Sequence, residues 1–158
     1  MRRIYYLVKT CVLISVLCLS GCGNLGQAAD CQKYWQAIAK SAQTPSEIAK
    51  TQIKTKESTV KAINAIAKSQ DELGRDIGDL KFQEAKSQEL QKHYVEASNA
   101  FSQTFRDRAK AIASLPGNPS EVELSQVPPE LKQKHRDAFQ KWLQSNDNLF
   151  EYCKAYAP

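Results

Sequence analysis

Residues 90–112, LQKHYVEASNAFSQTFRDRAKAI, decide the fold. Leu90, Tyr94, Phe101, Phe105 and Ile112 recur at intervals of four and seven in alternation, with Ala97 and Ala109 between them. An α-helix turns once every 3.6 residues, so these steps return to one face, and a long stripe of this kind is the buried seam of a helical bundle. The flanks follow the same period. Upstream, Val60, Ile63, Ile66, Ala67, Leu73, Ile77 and Leu80 form a broad apolar stripe. Downstream, Phe139, Trp142, Leu149, Cys153 and Tyr156 share a face, with Phe150 beside them. Nearer the start, Cys31, Tyr34, Trp35, Ile38 and Ala42 do the same. Sustained period-two alternation and Asn-Gly hairpin turns are both lacking, which argues against strands. The fold class is all-α.

The helix ends are marked by proline and glycine. Leu115-Pro116-Gly117-Asn118-Pro119 stops the central helix. Pro128-Pro129-Glu130 opens the last one, with proline where its missing N–H does no harm. Gly74 and Gly78 mark a turn ending near Leu80-Lys81-Phe82. Thr44-Pro45-Ser46-Glu47 has the cap, proline and acid of a helix start, but a break there leaves a first helix of only about 20 Å. The last helix runs about 36 Å from Pro129 to Cys153. A break between Lys54 and Thr59, with Pro45 a kink, gives matching lengths, and Thr51, Thr55 and Thr59 weaken helix there.

The amino terminus carries Arg2, Arg3 and Lys9, an apolar run from Cys11 to Leu19, and then Leu19-Ser20-Gly21-Cys22. The run is shorter than the roughly 20 apolar residues a membrane span needs and fits the about 7–15 of a signal peptide. This segment resembles the signal peptide and lipobox of bacterial lipoproteins. The resemblance implies that residues 1–21 are removed, that Cys22 carries a diacylglyceryl thioether, and that the new amino terminus is often acylated too, palmitate being the expected chain. Two or more acyl chains hold a protein stably on a bilayer. Gly23, where some such proteins carry an inner-membrane aspartate, favours the outer membrane over the inner. The expected layout is a signal peptide over 1–21, a lipidated tether over 22–30 and a bundle domain over 31–157. The tether would reach about 25–30 Å if extended, with Asp30 as N-cap of the helix beginning at Cys31. The bundle then faces the periplasm or the exterior.

Charge and cysteine are recounted for that mature chain. The full sequence has 22 Lys and Arg against 17 Asp and Glu; losing Arg2, Arg3 and Lys9 leaves 19 against 17. Neither this balance nor the compartment suggests nucleic acid. Of five cysteines, Cys11 and Cys18 leave with the signal and Cys22 is lipidated. Cys31 and Cys153 remain, and an even pair in an oxidising compartment is most simply a disulfide. Such a bond closes a loop of about 120 residues and is worth up to about 5 kcal/mol by chain entropy. It also counts helices. Three long helices running up, down and up place the two cysteines at opposite ends, whereas bonded Cα atoms lie within about 7 Å. Four antiparallel helices, closed by one disulfide between the chain ends, are favoured over three. Matching lengths then put Phe101 and Phe105 against Phe139 and Trp142, Tyr94 against Phe150, and Leu90 beside the Cys31–Cys153 bridge with Trp35 close.

The Cys31 start, the Leu80-Lys81-Phe82 turn, the segment Leu90-Gln91-Lys92-His93-Tyr94 and the closing run from Asn148 to Cys153 are similar to cyanobacterial lipoproteins with cysteines near both ends of a helical domain. That resemblance implies a fold and no activity.

No CxxC, HExxH, P-loop or nucleotide-binding glycine motif occurs. His93 beside the seam and His135 between Lys134 and Arg136 read as surface histidines. No catalytic residue, metal ligand or cofactor is expected, and the chain reads as a non-enzyme. Two features suit binding. Lys50, Lys54, Lys61 and Lys68 form a basic stripe suited to anionic lipid or to plain solvation. The connection from Pro116 to Pro129 is long for a bundle and carries Glu121, Val122, Glu123, Leu124 and Val127, either an exposed partner-binding loop or a lid on the bundle end. The expected function is a lipid-anchored envelope protein acting by protein contact, as an accessory, assembly factor or inhibitor, its partner another envelope protein. The alternative is a carrier of a small apolar ligand held among Phe101, Phe105, Phe139 and Trp142.

Overall fold

The computed structural model describes residues 22–43, 55–116 and 127–158. Four helices follow one another: α1 (Cys22–Gln43), α2 (Lys56–Gly78), α3 (Ala85–Ala113) and α4 (Pro129–Cys153), with a closing 3₁₀ turn over Lys154–Tyr156. No strand occurs among the described residues. Neighbours run antiparallel. Gln91 of α3 meets Ile77 of α2, while Leu115 at the far end accepts from Lys56. Ser87 of α3 lies by Tyr152 of α4, while Asp107 pairs with Lys134. Lys33 and Lys40 of α1 reach, in the opposite order, Lys81 in the turn after α2 and Asp76 within α2. The even number of helices therefore brings the start of α1 and the end of α4 to one end. There Cys31 and Cys153 are bonded, with Cα atoms 5.1 Å apart.

The core is densest around that bond. Tyr34, Ile77, Phe82, Leu90, Tyr94 and Leu149 are buried with the two cysteines, and Trp35 packs against them. Trp35 donates its indole N–H to the Cys153 carbonyl at 3.1 Å and meets Phe150 edge-on. Leu90 and Trp35 thus sit where the matching of helix lengths puts them. Tyr94 does not meet Phe150. It lies in the core near Tyr34 and Trp142 instead.

The helix boundaries show which local signals governed. Thr55 is more than a weak helix former. Its side chain accepts from the Ser58 N–H and Ser58 returns a bond to the Thr55 N–H, a capping box that starts α2 at Lys56. Residues 44–54, with Pro45, lie outside the described residues. α3 ends at Ala113, just before Leu115-Pro116, and α4 opens with Pro129 in its first turn, both as the proline signals require.

Two expectations are corrected. Residues 22–30 are not an extended tether: α1 begins at Cys22, and Gln27 donates to the Tyr152 carbonyl at 3.2 Å. Asp30 is not the N-cap of its own helix. It is fully buried within α1 and caps α3 from outside, accepting from the Gln83 N–H at 2.9 Å and the Glu84 N–H at 2.9 Å. Glu84, the N-cap residue of α3, makes no side-chain cap bond of its own. Lys33 braces the carboxylate at 3.3 Å. The helix dipole and the free N–H groups at an N-terminus explain why an anion sits there.

Gly74 likewise marks no turn. It lies inside α2, where α3 approaches so closely that a Cβ would stand 2.8 Å from the Ser98 hydroxyl. Ser98 is buried and cannot retreat, because its hydroxyl donates to the Gln70 carbonyl and accepts from the Gln70 amide. Ala62, Ala67 and Gly74 are the small buried residues of α2 that permit this approach.

Two outcomes follow for stability. Gly74→Ala destabilises by about 1–3 kcal/mol, the range for forcing extra volume into a packed contact, in urea unfolding. Asp30→Asn costs about 2–3 kcal/mol, since three charge-assisted contacts lose their acceptor charge. Burial raises the Asp30 pKa, but the Glu84 and Gln83 N–H groups, Lys33 and Ser87 outweigh it, and the net shift is downward. A carboxylate depressed in the folded state contributes stability that is full above its unfolded value of about 3.9 and is lost as pH falls through the lower folded value. Wild-type unfolding followed from pH 5 to pH 2 should show that loss, and Asp30→Asn should lack it.

Candidate functional site

Two places gather side chains beyond what packing alone needs. The first is the disulfide end. α1 begins at Cys22, nine residues before the bridge, which is about 13 Å of helix. The Cys31–Cys153 pairing is present as the cysteine count implies. Nothing is described of the Cys22 side chain. Leu25, one turn further along α1, is the most exposed large apolar residue among the described residues, at 73%.

The second is an aromatic cluster between α3 and α4, in the half of the bundle away from the disulfide. Spacing builds it: Phe101 and Phe105 lie one turn apart on α3, and His135, Phe139 and Trp142 follow at one-turn steps on α4. Phe101 is the hub. Its ring centre lies 4.9 Å from Phe105, 5.2 Å from His135, 5.5 Å from Phe139 and 5.4 Å from Trp142, the last nearly parallel. The pairing of Phe101 with Phe139 and Trp142 is the one helix length predicts. Phe105 instead takes His135, edge-on at 4.9 Å. Phe139 does not line a buried face throughout, because 37% of it is exposed. The rings fill one another's space and form a wall.

His135 is not a plain surface histidine. Its Nδ1 lies 2.8 Å from the hydroxyl of Thr104, which is buried and donates to the Phe101 carbonyl at 2.6 Å. With its proton committed there, the Thr104 oxygen accepts from Nδ1–H, so in the neutral ring the lone pair is on Nε2. Burial lowers the His135 pKa, and the Arg108 charge lowers it further. The sequence signal for this was present in the i, i+4 pairing of His135 with Phe139, but the flanking Lys134 and Arg136 hid it. Arg108 was missed altogether. It follows Phe101 by seven residues and Phe105 by three, on the stripe that ends at the buried Ile112.

Other candidates are dispersed. Glu121, Val122, Glu123 and Leu124 lie outside the described residues, as do Lys50 and Lys54. Val127 is described and is 1% exposed, so it is corrected from a contact residue to a packed one. Lys61 and Lys68 are exposed, and Lys68 lies 3.8 Å from Glu72. His93 is exposed beside Glu89. Among the described residues no cluster of three or more His, Cys, Asp and Glu is arranged to hold a metal, and no helix is long and apolar enough to cross a membrane. An open groove of about 780 Å³ on the outer α3–α4 face is lined by Thr104, Gln133, Lys134 and Asp137.

No family model, no curated protein and no solved structure matches the chain.

The imidazole offers a direct check. In an NMR titration of the folded chain, His135 should change protonation below the ordinary 6.5 of a free imidazole. A base whose pKa is depressed on folding binds its proton more readily when unfolded. Its contribution is therefore full above the unfolded value and falls away as the pH drops below it.

Proposed function

We propose that the chain is a lipoprotein of the bacterial cell envelope, held on a membrane through a lipidated Cys22, and that it acts through protein contact rather than catalysis. One observation carries the reading: the disulfide Cys31–Cys153 lies at the end of the bundle where α1 begins. A buried disulfide suits an oxidising compartment. The lipobox supplies export and anchoring in the same stroke. A chain anchored at Cys22 presents its disulfide end to the bilayer, with the outer membrane favoured by Gly23. The end of α3 and the start of α4 lie at the opposite end, away from the lipid, where an envelope partner in an accessory, assembly or inhibitory relation would meet the chain. Support for a non-catalytic role comes from the tasks the acids hold: Asp30 caps a helix, Asp71 binds Arg106 at 2.6 Å, and Asp107 binds Lys134 at 2.7 Å. The similarity to cyanobacterial helical lipoproteins belongs to the same proposal.

A second reading, carriage of a small apolar ligand, is favoured by the half-exposed aromatic wall around Phe101.

Metabolic labelling in a bacterial host with an alkyne fatty acid tests the anchor. The wild-type chain should take up label and pellet with membranes. Cys22→Ser should lose the label and the cleavage, and a labelled Cys22→Ser protein would sink the proposal. Photo-crosslinkers placed at positions 120–125 should then capture an envelope protein in the wild type and lose it when Val122 and Leu124 are both replaced by serine.

A further inference from the structure

Arg108 stands out on the core-facing stripe of α3. Phe101, Phe105 and Ile112, which share that stripe, are aromatic or aliphatic, and Ile112 is fully buried. The Nε of Arg108 is buried and has no hydrogen-bond partner, and among the described residues no carboxylate lies in salt-bridge range of the guanidinium. The acids nearest in sequence and on the facing helix are already engaged: Asp71 holds the neighbouring Arg106, and Asp107 holds Lys134. A buried donor left without an acceptor costs about 1–3 kcal/mol, and a native fold that keeps one invites a reason.

We propose that Arg108 and the aromatic wall of Phe105, His135, Phe139 and Trp142 form a binding site for a small carboxylic acid with an apolar body. The inference rests on the carrier reading given above and adds the head group to it. The argument is complementarity at each end. A guanidinium presents its Nε and one Nη as a fork that matches the two oxygens of a carboxylate. A single unpaired cation suits a monoanion. The wall supplies apolar surface that is partly open, with Phe139 37% exposed and Phe105 and Trp142 half-buried. His135 fits the same picture. Burial and the Arg108 charge favour its neutral form, and the bond to Thr104 fixes the ring, so it adds ring surface without a second charge.

The test uses the chain from Cys22 to Pro158 with Cys22→Ser, secreted to an oxidising compartment; every contact described here lies within those residues. Octanoate and 1-octanol serve as probes, because they share a chain and differ in charge. Binding is followed by the NMR signals of the Trp142 indole and the His135 ring. Octanoate should shift both, and Arg108→Met should weaken its affinity at least tenfold while leaving 1-octanol affinity unchanged. Arg108→Met should also melt no lower than the parent, since it removes an unpartnered donor from a half-buried site. Arg108→Lys, which keeps the charge and loses the fork, should recover only part of the octanoate affinity and gives a second measure should the methionine variant misfold. Equal octanoate binding in the parent and both variants overturns the Arg108 assignment and leaves the carrier reading standing. Failure of both probes to bind the parent overturns the two together.

Discussion

Two adjacent residues, Asp30 and Cys31, hold α1 to the rest of the molecule. Successive positions on a helix point about 100° apart, so neighbours in sequence face different partners. Cys31 is bonded to the end of α4, while Asp30 caps the start of α3 and, through Lys33, touches the turn that leaves α2. One is a covalent tie and the other an ion held by backbone donors. Together they fix α1 against three elements at one level of the bundle. Without them α1 would rest on Tyr34, Trp35, Ala37 and Ile38, a short apolar face for a helix of 22 residues.

The contact between α2 and α3 is of another kind. It is built from small residues and buried hydroxyls, not large side chains. Gly74 against Ser98, and Ser102 and Arg106 on Asp71, set the register over several turns. Close backbones gain dispersion contacts at every turn, but only if the small residues stay small. The polar ties then remove the freedom to slide, because a shifted register would leave buried hydroxyls unpaired. The α3–α4 contact uses rings instead, which interlock through Phe101.

Much of this was legible in the residues. The apolar period along Leu90 to Ile112 states the helix and its face, and reading Cys22 as lipidated left Cys31 and Cys153 as the pair that the structure bonds. From the bridge follows an even number of helices, a topological result that needs no propensity at all. The prolines at 116 and 129 state two boundaries. Three things were not legible, each for a physical reason. Asp30 preceding an apolar face looks like a local N-cap, and only the fold shows that the helix it caps has its N-cap residue, Glu84, 54 residues later. Gly74 looks like a turn residue, as Gly78 at the end of α2 is, because a glycine kept for helix contact and one kept for a turn are the same letter. His135 looked like a surface group because its neighbours are charged, and Arg108 drew no reading; a long side chain on a core stripe is recognised only once the stripe is seen to be packed.

The two ends of the bundle therefore have different physical characters, and this bears on how an anchored chain would work. Lipid at Cys22 would transmit any pull into α1 within about 13 Å of the clamp. The load would pass through the disulfide into α4 and through Asp30 into α3, leaving the far half of the bundle unstrained. That far half contains the aromatic wall, with Phe139 37% exposed, and Arg108, whose buried Nε has no hydrogen-bond partner. The covalent tie and the Asp30 cap thus lie where a tether would pull. An incompletely satisfied group is a burden in a protein whose only task is to fold. Its placement at the end remote from the clamp, on the stripe that faces the wall, is the strongest reason to regard that wall as the working part of the molecule.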